Sequence, residues 1–335
     1  MGKGQTIVTG EAYTGLEDAF EKRPGLWSPS GKRRGLLYNL KSNRSLLFLA
    51  MPGLLVILVF SYLPLPGLLI AFKDFRYDVG FWGSPWAGLR NFKFLIMQDA
   101  WRIIRNTVGY NLIFIALTMV TAVIIALMLY ELSHKLLLKY LQTAFFLPYF
   151  LSWVVVGFTL FAFLNGQYGI VNNLLKASGL SPEQWYYQSK FWPIILPLVY
   201  LWKNIGYYSV IFYAALLSIE PDYYEAAAID GASKLQMTRR ISLPLLMPII
   251  SILVLLQVGR IFNADFGLFY NVPRDIGILY PVTDVIDTYV YRSLRAVGNI
   301  SMASAAGLLQ SVVGLLTVSL SNYAVRLRNP DNALY

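Results

Sequence analysis

The sequence predicts an all-α protein that crosses a membrane six times. Its mean hydropathy of +0.52, with 56% apolar residues, is too oily for a soluble domain of this length and too uniform for a single anchor. Six stretches, near residues 46–71, 107–132, 145–164, 191–217, 245–261 and 302–325, are long enough to cross a hydrocarbon core of about 30 Å. The sequence lacks the alternating polarity of a transmembrane barrel, which leaves helices to satisfy the backbone in lipid.

Residues 1–44 are predicted as a basic N-terminal tail, rich in Gly, Ser and Pro and without an apolar face to pack. Lys22, Arg23, Lys32, Arg33, Arg34, Lys41 and Arg44 crowd its end with no acid among them, which is expected to hold it in the cytoplasm. No cleavable signal opens the chain, so the first span is expected to act as a retained insertion signal. That span carries Pro52, Pro64 and Pro66, and an outer loop, 73–101, follows. Trp101, Ile103 and Ile104 are expected to lie along the interface before the second span. His134, Lys135 and Lys139 then form a short basic loop, where a lone histidine assembles no metal site.

Pro148 interrupts the third span, Pro193 and Pro197 the fourth, and Pro248 the fifth. Each removes a helix hydrogen bond and permits a kink. Residues 171–179 read as a short outer helix closed by Gly179. Trp185, Tyr186, Tyr187, Phe191 and Trp192 supply an aromatic belt. Residues 281–294 place Val282, Val285, Ile286 and Tyr289 on one helical face and Asp284, Asp287, Thr288 and Arg292 on others. That segment is expected to lie on the membrane, as a mouth for substrate or as a packing lid. In the last span Ala303, Gly307 and Ser311 recur every four residues, a stripe that lets helices approach in lipid. Residues 329–335 form the C-terminal tail of a 45–328 membrane domain.

Between the fourth and fifth spans, residues 220–244 read as a polar helical hairpin. Pro221 suits a first helical position, and Asp222 and Glu225 complement the positive helix end. Gly231 can take the left-handed conformation that closes the helix. Ser233 and Gln236 have the spacing of a capping box, so a second helix starts at once; Pro244 is expected to stop it near Leu243. Ala226, Ala227 and Ala228 are small enough to let a partner's surface come close. An ordinary connector has no need to combine these features.

This hairpin resembles the EAA loop of permease subunits in binding-protein-dependent ABC importers, whose pattern is Glu-Ala-Ala, then Gly, then Ile-x-Leu-Pro. The match is complete at Glu225, Ala226, Ala227, Gly231, Ile241, Leu243 and Pro244. Further runs resemble the LplB-like branch, permeases for oligosaccharides and polysaccharide fragments: Pro52-Gly53, Gly83-Ser-Pro-Trp-Ala-Gly-Leu89, Asn91-Phe92, Leu151-Ser-Trp-Val154 and Thr283-Asp-Val-Ile-Asp-Thr-Tyr-Val-Tyr291. Together they cover nearly the whole chain from about residue 46.

The resemblance implies a type I ABC importer permease fold and import of oligosaccharides. Glu225, Ala226, Ala227, Asp230, Gly231, Ile241, Leu243 and Pro244 would then form coupling helices seated in a cytoplasmic ATPase. The implied partners are a second homologous permease, two ATPase subunits and an extracellular solute-binding protein. The chain itself shows no Walker A pattern, no paired acids at helical spacing inside a span and no nucleophile elbow. It is therefore expected not to be an enzyme and to bind no cofactor, with ATP and magnesium used by the partner ATPase.

The net charge of +10 sits mainly beside the first span, where it suits anionic lipid headgroups better than nucleic acid. The absence of cysteine excludes disulfides and thiolate chemistry. An even span count brings both termini and the hairpin to the cytoplasmic side of a prokaryotic cell membrane.

Lys203 is the first candidate for the substrate pathway, because a charge inside a span is costly and tends to face a cavity or a partner. Asn204, Tyr207 and Tyr208 beside it offer hydrogen bonds and stacking surfaces suited to sugars. The structural alternative is that Lys203 pairs with Asp265 or another buried group and pins two helices. Asn263, Asp265, Phe266 and Tyr270, just after the fifth span, form a second candidate group, with ordinary gate or loop residues as the alternative reading. An ion-coupled secondary transporter of a small polar solute is the alternative function; it calls for intramembrane carboxylates and usually inverted repeats, neither of which is visible.

Overall fold

The computed structural model describes residues 44–96, 99–328 and 333. The predicted tails, 1–44 and 329–335, lie outside these residues except for Arg44 and Ala333. The described chain divides at Pro66 into two units. Among the described residues it is helical, with one isolated antiparallel bridge between Lys73 and Trp86. In the first unit α1 (Arg44–Ile57) runs into a π-helical turn, Leu58–Tyr62. The chain then tightens into a 3-10 helix, Leu65–Phe72, where Pro64 and Pro66 have removed the donors that a regular α-helix needs.

The second unit is built from α2 (Ala100–Tyr130), α3 (Lys135–Phe146), α4 (Trp153–Leu164), α5 (Ile170–Ala177) and α6 (Trp192–Leu217). It continues with α7 (Asp222–Ile229), α8 (Lys234–Met237), α9 (Leu243–Val258), α10 (Phe266–Asn271), α11 (Ile286–Val297) and α12 (Ile300–Arg328). Helices α2 and α6 form the most extensive pair. Toward the hairpin end, fully buried Ala122 and Ala126 of α2 lie in a cluster with Phe212, Leu216 and Leu246. Lipid tails are as apolar as leucine, so such helices are held by close packing rather than by hydrophobic burial. The α3–α6 crossing shows how close: a methyl group placed on Gly206 would lie 2.0 Å from the Phe145 carbonyl oxygen. At the opposite end Tyr110, Phe114, Trp192, Leu196, Leu268 and Phe269 build a second core.

Four expectations are corrected by this arrangement. Trp101, Ile103 and Ile104 do not form a separate interfacial segment; they begin α2, and Ile103 is buried. The third span is not continuous. Its helices Lys135–Phe150 and Trp153–Leu164 meet at 101°, because Pro148 opens a 3-10 turn and Ser152 starts a new helix by accepting from the Val155 N–H. In α12 the buried small residues are Ser301, Ala305, Ala306 and Gly314, whereas Gly307 and Ser311 are exposed. The close approach there falls instead at Gly314, against the Gly259 carbonyl.

The fourth correction concerns residues 281–294, whose polar side chains are as buried as the apolar ones. Asp284, Val285, Ile286 and Thr288 are all 2% exposed or less. Burial of Asp284 is compensated by Arg292 at 2.7 Å, by Arg102 at 3.7 Å and by the Thr288 hydroxyl. This segment is packed into the bundle rather than laid on its surface. The outer helix α5, by contrast, forms as expected, with Gly179 at φ +75° closing it.

Candidate functional site

The hairpin 220–244 consists of α7 and α8 joined at Gly231. Gly231 has φ +75°, and its N–H donates to the Ala228 carbonyl while Ala232 reaches back to Ala227. These bonds satisfy carbonyls that the helix end leaves open. Ser233 and Gln236 then exchange the two bonds of the capping box. The hairpin presents apolar side chains to its surroundings: Ile229 is 87% exposed and Leu235 78%. Ala227, Asp230, Gly231 and Ile241 line a concavity of about 350 Å³ with Met237 and Arg240. Glu225, Ala226 and Pro244 are exposed, and Leu243 is half-buried.

Pro244 does not stop the second helix. α8 passes through a π-helical turn, Thr238–Ser242, directly into α9, where Pro244 occupies the opening turn. The wider turn absorbs the missing donor, and a proline near a helix start costs little. The second arm of the hairpin and the fifth span are thus one continuous rod, Lys234–Val258. Tyr224 Oη, 2.9 Å from Ser242 Oγ, braces the two arms of the hairpin, and two side-chain contacts tie it to the end of α2: Lys234 Nζ lies 2.6 Å from Glu131, and the Tyr224 ring lies 5.9 Å from that of Tyr130.

Within the bundle the candidate pathway residues separate. Lys203 is 7% exposed. Its ammonium donates to the Tyr149 carbonyl at 2.7 Å and sits over the Tyr149 and Trp153 rings. It therefore holds the break in the third span to α6 and forms no ion pair with Asp265 among the described residues. Asn204 donates back to the Tyr200 carbonyl, Tyr207 stacks on Tyr149 with ring centroids 4.8 Å apart, and Tyr208 accepts from Gln257 Nε2.

Asn263 and Asp265 line a cavity of about 260 Å³ with Asn111, Phe114, Tyr200, Gln257 and Arg260. Asp265 accepts from the Trp153 indole at 2.8 Å and from the Leu268 N–H. Burial pushes its carboxyl above the usual carboxylate range, and the donors on Leu268, Trp153 and Gly267 hold that shift back. Tyr270 belongs elsewhere: it lines a separate cavity of about 190 Å³ with Phe158, Asn271, Arg274 and Asp275. Arg274 and Asp275 both have left-handed backbone, at φ +60° and +51°, and Arg274 stacks on Phe161 at 4.2 Å.

The sequence reading missed Asn111, Gln257 and Arg260. Arg260 was legible, since it falls inside the predicted fifth span and meets the criterion applied to Lys203. Asn111 and Gln257 are polar residues in apolar runs, and only their shared cavity distinguishes them.

Residues 118–328 match the family model described as "Binding-protein-dependent transport system inner membrane component". Protein LplB of Bacillus subtilis is 33% identical, over 93% of this chain and 98% of that protein. The polygalacturonan/rhamnogalacturonan transport system permease protein YteP of the same organism is 31% identical, over 87% of this chain and 90% of that one. Among solved structures, a bacterial ABC transporter involved in import of the acidic polysaccharide alginate superposes with a TM-score of 0.79 at 31% identity. That match covers 88% of this chain and 99% of the other.

Proposed function

The chain belongs to the family of binding-protein-dependent transport system inner membrane components, and from that premise we propose that it is the permease subunit of an ATP-driven oligosaccharide importer. Membership sets aside the ion-coupled secondary transporter. The observation that carries the reading further is the hairpin. It is exposed, apolar at its tip, closed by a left-handed glycine and continuous with a membrane-spanning helix. A body docked there moves α9 directly and, through the Lys234–Glu131 and Tyr224–Tyr130 contacts, bears on the end of α2.

In this reading two ATPase subunits grip the hairpins of this chain and of a second, related permease from the cytoplasm. Their closure changes the relative stability of inward- and outward-facing states. A solute-binding protein delivers the sugar on the opposite side, and the substrate passes the cavity lined by Asn263 and Asp265. Both termini lie with the hairpin in the cytoplasm. The chain itself carries no ATP; nucleotide and magnesium stay with the ATPase.

The test is to copurify the chain with an ATPase subunit and reconstitute the complex in liposomes with its binding protein. ATP hydrolysis should rise when the binding protein is loaded with an oligosaccharide. A complex whose ATPase answers only to an amino acid, a peptide or an ion would rule this function out.

A further inference from the structure

We propose that Arg260 makes this permease selective for acidic oligosaccharides, by holding a sugar carboxylate in the cavity between α2, α6 and the end of α9. The inference rests on the reading of the chain as an oligosaccharide permease. Arg260 follows the last turn of α9, is exposed, and lines that cavity. It enters no ion pair among the described residues, unlike Arg102 and Arg292, which answer the buried Asp284.

The acid in the same cavity is committed. Asp265 faces the Trp153 indole and the Leu268 N–H, and the buried ammonium of Lys203 lies on the same side, over the Trp153 ring. Asp287, behind the cavity, is likewise held by the Ala264 N–H and by Gln310 Nε2, so both acids are engaged by protein donors and Arg260 is the one cation among the residues that line the cavity. A guanidinium beside apolar spans is costly without an anion, and its planar fork matches a carboxylate with two parallel bonds. The rest of the lining fits a sugar acid. Tyr200, backed by the buried Phe114 ring stacked on it at 4.1 Å, is the aromatic surface on the cavity for the apolar face of a pyranose. Asn111 donates to the Ile261 and Asn263 carbonyls and Gln257 to Tyr208 Oη, so on this cavity their amides offer hydroxyls an acceptor oxygen rather than a donor.

The experiment uses the reconstituted complex with its binding protein and a matched pair of probes. One is a short oligogalacturonate; the other is the same oligomer after its carboxylates have been reduced to primary alcohols. Wild-type complex should take up the acid in preference to the alcohol. R260Q should lower uptake of the acid at subsaturating concentration by about tenfold or more, the scale of a charged hydrogen bond. R260K should retain an intermediate rate, and all three proteins should assemble to equal yield. Uptake of the acid by R260Q at the wild-type rate overturns the inference. So does equal loss of assembled complex in R260Q and R260K, which makes Arg260 a structural residue. If wild type imports the neutral oligomer as well as the acidic one, the selectivity fails while the importer reading stands; if it imports neither, that reading fails with it.

Discussion

Replacement of Gly231 isolates the geometry of the hairpin from its contacts. The residue stands at φ +75°, and a methyl group built there would meet no heavy atom within 4 Å. Its substitution therefore creates no clash, and the cost is that of the left-handed backbone alone. That cost is about 1–2 kcal/mol for a residue with a Cβ, less for Asn, which tolerates this conformation, and greatest for a β-branched side chain. Transport should fall in the order Gly, Asn, Ala, Val. A cost of 1–2 kcal/mol lowers the population of the closed hairpin by about 5- to 30-fold. The assay is paired: yield of the assembled complex by size exclusion, and stimulation of ATPase by loaded binding protein in liposomes. Assembly should persist in Gly231→Val while stimulation is lost. Full stimulation in Gly231→Val would refute the claim that the left-handed turn transmits the stroke, as would an Asn variant no better than Val.

Three further outcomes are expected. Gly206→Ala should lower the thermal stability of the solubilised complex by about 1–3 kcal/mol, because its methyl group meets the Phe145–Phe146 backbone, which has no rotamer to yield; an unchanged melting temperature would contradict the close α3–α6 crossing. Lys203→Met should cost about 1.5–3 kcal/mol, the worth of a hydrogen bond to a charged group, and reduce assembled complex. Uptake per assembled complex should change little, so loss of uptake at normal assembly would return Lys203 to the pathway. Asp284→Asn should destabilise by about 3 kcal/mol, the lower end for breaking a buried pair, since Arg292 keeps Asp275 and is partly exposed. The double variant with Arg292→Met should recover part of that loss in thermal unfolding.

Much of the hairpin was legible because its devices are local. A left-handed glycine, a capping box and charges at a helix start each act within a few residues, and each appears in the structure. The Pro244 stop failed for an equally local reason: a proline read as a terminator is also at home in the first turn of the next helix, and the π-helical turn before it joins the two. The bend in the third span had its signal in Pro148 and in Ser152 ahead of an apolar run. A hydropathy window averages over both and reports one span.

The polar residues within apolar runs posed a harder question, because sequence marks each as costly without saying whether its cost has been met. Three-dimensional packing sorts them into two kinds. Lys203 is answered by the Tyr149 carbonyl, Asn204 by the Tyr200 carbonyl one turn earlier, and Asn106 by the Asp284 carbonyl far along the chain. Asp284 and Arg292, read as the exposed side of a surface helix, answer one another inside the bundle. Arg260 lines its cavity without a carboxylate partner among the described residues, and Asn263 lines the same cavity. A satisfied polar group fixes helices in place, whereas an unsatisfied one in a cavity leaves bonding capacity for something that arrives. On that criterion the functional weight shifts from Lys203, where sequence put it, to the end of α9, where the same rod that carries the coupling hairpin at one end presents Arg260 at the other.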